Sequence, residues 1–146
     1  MHKVAPAIEN AVSIPFLHIA DATAKAIKAL GIEKVGLLGT KFTMEQDFYV
    51  GRLHDHRLDV SIPGEDDRAV VHRIIYDELC NGQVHRSSRE AYTAVIDKLI
   101  AQGVQGIILG CTEISMLIDP AMIAVPCFDT TALHATAAVE FSLDEN

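Results

Sequence analysis

Short apolar runs alternate along the chain with stretches whose apolar residues return every three or four positions, the pattern of parallel strands joined by crossover helices. Residues 14–19 (I-P-F-L-H-I), 34–38 (K-V-G-L-L), 57–62 (R-L-D-V-S-I, ending at Pro63), 105–109 and 124–128 (A-V-P-C-F) read as strands. Asp21 caps a helix that Gly31 stops, and Gly39-Thr40 turns the chain into another near 43–53. Val70, Val71, Ile74, Ile75 and Leu79 make a helical stripe before Asn81-Gly82. Ala91, Val95, Leu99 and Ile100 make a second before Gly103, and a last helix covers about 130–143. The predicted fold class is α/β, a parallel sheet flanked by helices in a Rossmann-like lobe.

The first dozen residues break the alternation. Val4, Ile8 and Val12 stand four apart, a helical stripe with no preceding strand to supply the sheet it would cover. Either the chain begins mid-unit, or this helix packs on whatever surface is free.

Composition then narrows the function classes. The 146 residues are 49% hydrophobic and 22% charged, as expected of one soluble domain able to bury a core. Twelve basic residues against twenty acidic ones give a net charge of −8, the wrong sign for neutralising phosphates, so nucleic acid is not an expected partner. The sequence shows no signal-peptide pattern and no apolar run near the ~20 residues of a membrane span, which predicts a cytoplasmic protein with no membrane partner. Cys80, Cys111 and Cys127 fit neither a disulfide framework nor a paired metal spacing, and are read as free thiols.

Ligands of parallel α/β sheets bind at the carboxyl ends of the strands. Polar clusters fall there at Gly39-Thr40 with Thr43, at Gly110-Cys111-Thr112-Glu113, and at Asp129-Thr130-Thr131. At a helix N-terminus the Cys111 thiol would have a lowered pKa and could serve as base or nucleophile; a single cysteine beside a strand can equally be packing. Cys80, on the apolar side of a helix, and Cys127, inside a strand, read as packing. G-L-L-G-T lacks the lysine of a P-loop and the third glycine of a dinucleotide fingerprint, so neither a nucleotide cofactor nor a flavin is expected. His54 and His56 lack further ligands at metal spacing and read as solvated, so no metal is expected. His134 fits a core, surface or site role.

Residues 107–117, I-I-L-G-C-T-E-I-S-M-L, resemble the second cysteine signature of the aspartate/glutamate racemases. P-F-L-H-I-A-D-A-T at 15–23, G-L-L-G-T-K-F-T-M-E-Q-D-F-Y at 36–49 and P-C-F-D-T-T-A-L-H-A at 126–135 also look like segments of that family, within its aspartate-racemase branch. The resemblance implies an isomerase that needs no pyridoxal phosphate or other cofactor. It inverts a small acidic amino acid, aspartate or glutamate, by proton transfer between two bases on opposite faces of the α-carbon. It further implies two similar α/β lobes with a base from each.

By that resemblance Cys111 is the second lobe's base. Thr112, and Thr40 and Thr43 of the G-T-x-x-T turn, hold substrate carboxylates, although each threonine could be a helix cap instead. Many aspartate racemases carry a lysine where His85 stands. Met1-His2-Lys3-Val4 looks like the tail of the first lobe's Cys-Asn-Thr-Met-His signature. The resemblance therefore implies residues 1–13 as a residual helix of a missing first lobe, 14–128 as the second lobe, and 129–146 as a C-terminal helix packing toward the first. A lobe so exposed is expected to self-associate as a homo-oligomer and to be inactive alone, or to be a non-catalytic carboxylate-binding or assembly module.

Overall fold

K-V-G-L-L and G-I-I-L carry no polar side chain after the opening lysine, and strands of that kind are stable only with both faces covered. They form the middle of the sheet. β1 (Lys34–Leu38) pairs in parallel with β3 (Gly106–Leu109), in register from Val35 opposite Gly106 to Leu38 opposite Leu109. β2 (Asp59–Ser61) extends the sheet beyond β1 and β4 (Cys127–Asp129) beyond β3, giving the all-parallel order β2-β1-β3-β4. The structure, a computed structural model, describes residues 2–143.

Helices α2 (Ile19–Ala29), α4 (Asp47–Asp55) and α6 (Arg86–Ala101) flank this sheet. They bury Ala24 and Ile27, Tyr49 and Leu53, and Tyr92, Val95, Ile96 and Leu99 respectively. Each fully buried aliphatic side chain contributes about 1.5–3 kcal/mol. β1 and α6 approach closely at Gly36, where a Cβ would lie 3.0 Å from Leu99 Cδ1 and 2.9 Å from Ile107 Cδ1.

The predicted strand at 14–19 is not one. Pro15 has no N–H to give a ladder, His134 Nε2 donates to the Leu17 carbonyl at 3.0 Å, and His18 Nδ1 accepts from the Ala20 N–H at 3.1 Å to cap α2. These groups are committed elsewhere, and the segment runs as an extended lead into α2. The helix expected near 43–53 is two, α3 (Lys41–Glu45) and α4, because Gln46 takes an extended ψ of 144°. β2 starts later than expected because Arg57 adopts φ 62°, the left-handed turn that closes α4.

The stripe from Val70 onward begins in α5 (Glu65–Arg73) and continues through a π-helical turn, Ile74–Glu78, and a 3₁₀ turn, Leu79–Asn81. Gly82, at φ 69°, ends the run. α7 (Ile114–Leu117) follows β3, and α8 (Thr130–Leu143) follows β4 and packs on α2. At the other terminus a 3₁₀ turn, His2–Val4, leads into α1 (Ala5–Ala11), whose Glu9 reaches Arg52 of α4 at 3.1 Å.

The apolar stripe of the first residues faces outward. Val4 and Val12 are exposed and Ile8 is half-buried, while Ala5 is the buried contact. Val139, Phe141 and Leu143 of α8 are exposed as well. Among the described residues no helix is long and apolar enough to cross a membrane.

Candidate active site

The pairing of β1 with β3 brings two of the polar clusters together. Leu38 and Leu109 are partners, so the Gly39-Thr40 and Gly110-Cys111 turns leave the sheet side by side, joined by Gly110 N–H donating to the Leu38 carbonyl at 2.7 Å. The fit is tight in both turns, and tightest at Gly110. A Cβ on Gly110 would stand 2.9 Å from the Leu38 oxygen, and one on Gly39 would stand 3.3 Å from the Gly110 oxygen and 3.2 Å from Thr43 Cβ. Thr43 thus lies over both glycines. Thr40 caps α3, its Oγ1 accepting from the Thr43 N–H at 3.4 Å and lying 3.1 Å from Thr43 Oγ1.

Cys111 is half-buried at the end of β3. Its Sγ donates to Glu113 Oε2 at 2.9 Å, and Thr112 Oγ1 donates to the same oxygen at 2.6 Å. The thiol is not activated in the way its position suggests. Burial first, then the Glu113 carboxylate that accepts its proton, push Cys111 up to about 12, with a smaller contribution from Cys80. A Glu113 backbone N–H interaction with the sulfur opposes this and is outweighed. The two donors in turn hold the Glu113 carboxyl below its ordinary value. Both shifts agree: the proton rests on sulfur and the charge on Glu113.

The expected lowering of the thiol pKa fails for a structural reason. α7 has four residues and starts three positions beyond Cys111, so it offers little dipole, whereas the carboxylate lies in contact. The Tyr92 phenol is raised above its ordinary value by burial first and then by the negative charge Cys111 would carry on ionising.

The remaining candidates disperse. Asp129 accepts from Ser115 Oγ at 2.6 Å and from the N–H groups of Thr131 and Ala132, and Thr130 Oγ1 donates to the Leu109 carbonyl, so the third cluster ties α7 and α8 to the sheet. His134 is a tie between α8 and Leu17. His56 is paired with Asp21 Oδ1 at 2.8 Å rather than solvated; Arg52 holds the same carboxylate, and His54 is exposed. Cys80 is exposed rather than packed, while Cys127 is half-buried against the core. His85 stands exposed before α6 and shares a hydrogen bond with Gln83 Oε1 at 3.3 Å. Among the described residues no three His, Cys, Asp or Glu side chains gather as metal ligands would.

Glu113 is the residue that sequence reasoning left without a role. It was visible in G-C-T-E, where a carboxylate two residues beyond a thiol can fold back onto it.

The sequence profile of the Asp/Glu/Hydantoin racemase family matches residues 1–138. The chain belongs to this family. The racemase-family chain superposes on a crystal structure from Yersinia pestis assigned to the Asp/Glu racemases with a TM-score of 0.96, at 58% identity, covering 99% of this chain and 63% of that one. An aspartate racemase homologue from Pyrococcus horikoshii OT3 gives a TM-score of 0.88 at 33% identity, over 97% of this chain and 62% of that one. Among curated relatives, the broad specificity amino-acid racemase RacX of Bacillus subtilis (strain 168) is 27% identical over 132 residues, 90% of this chain and 56% of RacX. This racemase-family chain therefore spans less than two thirds of each of these proteins. Its four-stranded parallel sheet with flanking helices is the α/β fold of the racemase structures.

Proposed function

We propose that this chain carries one half of the proton-transfer machinery of an acidic amino-acid racemase, with Cys111 as the group that exchanges a proton with the α-carbon. The observation that carries the reading is the junction of the two turns, which sets a thiol with a bound carboxylate partner beside a threonine-lined turn. As base, the Cys111 thiolate takes the α-proton: the C–H bond breaks, an S–H bond forms, and the electron pair spreads into the adjoining carboxylate. As acid, the thiol returns a proton to the same face. Inversion requires a second group on the opposite face.

Thr40, Thr43 and Thr112 supply hydroxyls, and their turns supply N–H groups, suited to aspartate or glutamate carboxylates. Side chains perform this chemistry without a cofactor. Burial first, and then the Glu113 carboxylate that accepts the S–H hydrogen bond, keep the resting Cys111 protonated, so the resting site is set as the acid.

The test is L-aspartate or L-glutamate incubated with the chain in D₂O, with α-hydrogen exchange followed by NMR and inversion by chiral chromatography. Exchange of the α-hydrogen that outpaces inversion, and that Cys111→Ala abolishes, is expected of one base acting from one face. Exchange that survives Cys111→Ala removes Cys111 from the mechanism.

The high thiol pKa favours a second reading, a carboxylate-binding or assembly module without turnover. Saturable binding of either amino acid with no α-exchange selects it.

A further inference from the structure

α3 has five residues, too few to hold themselves helical, and it carries Thr43 while Thr40 caps it. Its shape is imposed from outside by α5. At its C-terminal end Arg68 Nε donates to Glu45 Oε1 at 2.9 Å, and at its N-terminal end the Lys41 backbone N–H donates to His72 Nδ1 at 3.1 Å. The first tie is a surface ion pair of small worth. The second satisfies one of the unpartnered N–H groups of a helix start, with a side chain from 31 residues away.

The His72 ring is held for that task. It lies 4.7 Å, centroid to centroid, from the Tyr76 ring and edge-on to Phe42 at 6.3 Å. With Nδ1 accepting, the neutral ring carries its proton on Nε2. The two aromatic rings flank the imidazole, and its Nδ1 meets the start of α3.

We propose that His72 is a positioning residue for the 40–43 turn: by accepting the Lys41 N–H through Nδ1 it sets the angle at which Thr40 and Thr43 meet the substrate's carboxylate. This rests on the reading of that turn as a carboxylate site. His72 touches no reacting atom. Its contribution is to affinity, so the proton-transfer rate of the bound substrate is unaffected.

Two variants separate the hydrogen bond from the ring. His72→Phe keeps an aromatic ring between Tyr76 and Phe42 and loses the acceptor. His72→Asn loses the ring and keeps a carbonyl oxygen where Nδ1 stood. Amide exchange at Lys41 and Thr43, and the dissociation constant for L-aspartate measured by NMR titration, are read on the 146-residue chain.

His72→Phe is expected to speed Lys41 exchange and weaken aspartate binding, each by about three- to tenfold, the worth of one hydrogen bond. His72→Asn stays within about twofold of the parent in both. Unchanged exchange in His72→Phe overturns the proposal, as does equal damage in the two variants, which would make His72 a packing residue. If the parent chain binds no aspartate or glutamate, the carboxylate reading of the turn falls, and the exchange comparison still decides whether His72 holds α3.

Discussion

Replacing Glu113 by Gln leaves the size of the side chain unchanged and removes the charge that, after burial, raises the Cys111 thiol. At pH 8 an ordinary thiol near 8.5 is about one quarter ionised. A thiol at about 12 is ionised in about one molecule in ten thousand at that pH. That difference alone slows alkylation by about three decades. A more basic thiolate is also a better nucleophile, by about 0.4–0.5 of a decade per pH unit of pKa, which returns about one and a half decades. Native Cys111 should therefore react with iodoacetamide roughly fifty- to a hundredfold more slowly than an ordinary exposed thiol. Its rate should climb about tenfold per pH unit up to pH 10.5 without levelling.

In Glu113→Gln, burial, the largest cause of the shift, remains while the carboxylate is gone. A fall of about one pH unit in the thiol pKa then raises the rate at pH 8 about threefold, since the gain in thiolate outruns the loss in nucleophilicity. Rates read by peptide mass spectrometry, with exposed Cys80 as internal reference, decide it. Cys111 labelling at pH 8 as fast as Cys80, or a slower Cys111 in Glu113→Gln, would refute the reasoning.

Gly110→Ala should cost about 1–3 kcal/mol in urea unfolding, because its Cβ would press on the Leu38 carbonyl at 2.9 Å, and that backbone cannot rotate away. An unchanged urea midpoint would show the turns to be looser than described. The Asp21 carboxyl is held at about 2 against an ordinary 3.8, through Arg52 first and His56 after it. The stability this confers is complete above pH 3.8 and lost as pH falls through about 2. Allowing for solvent around a side chain one third exposed, it amounts to about 1–2 kcal/mol. Asp21→Asn should accordingly destabilise the chain more at pH 6 than at pH 2, and an equal penalty at both would contradict the assignment.

The two central strands could be read from the sequence because burial on both faces leaves an uninterrupted apolar run that alternation cannot mimic. The same criterion misread 14–19, where Ile14 is exposed and the backbone groups of Leu17 and His18 are committed to His134 and α2. Cys80 was misplaced by periodicity. The π-helical turn at Ile74–Glu78 inserts a residue into the helical count, so a side chain projected inward at 3.6 residues per turn comes out facing solvent. For the site, strand ends marked where Cys111 and Thr40 would lie. The direction of the thiol's pKa was not legible, because it depends on the Glu113 side chain folding back and on the brevity of α7. His72 was beyond reach for the same reason, since its partner is a backbone N–H 31 residues away.

The junction of Gly39 and Gly110 also sets a timetable. Some 70 residues separate the two turns, and a chain made at about 5–20 residues per second leaves the first waiting roughly 4–14 s for the second. Through that interval β1 can pair with β2, but its other edge stays open and apolar, a template for any passing strand. The two halves of the site therefore meet at the moment β1 loses that open edge. A nascent chain stalled before β3 would be both without its thiol and prone to aggregate.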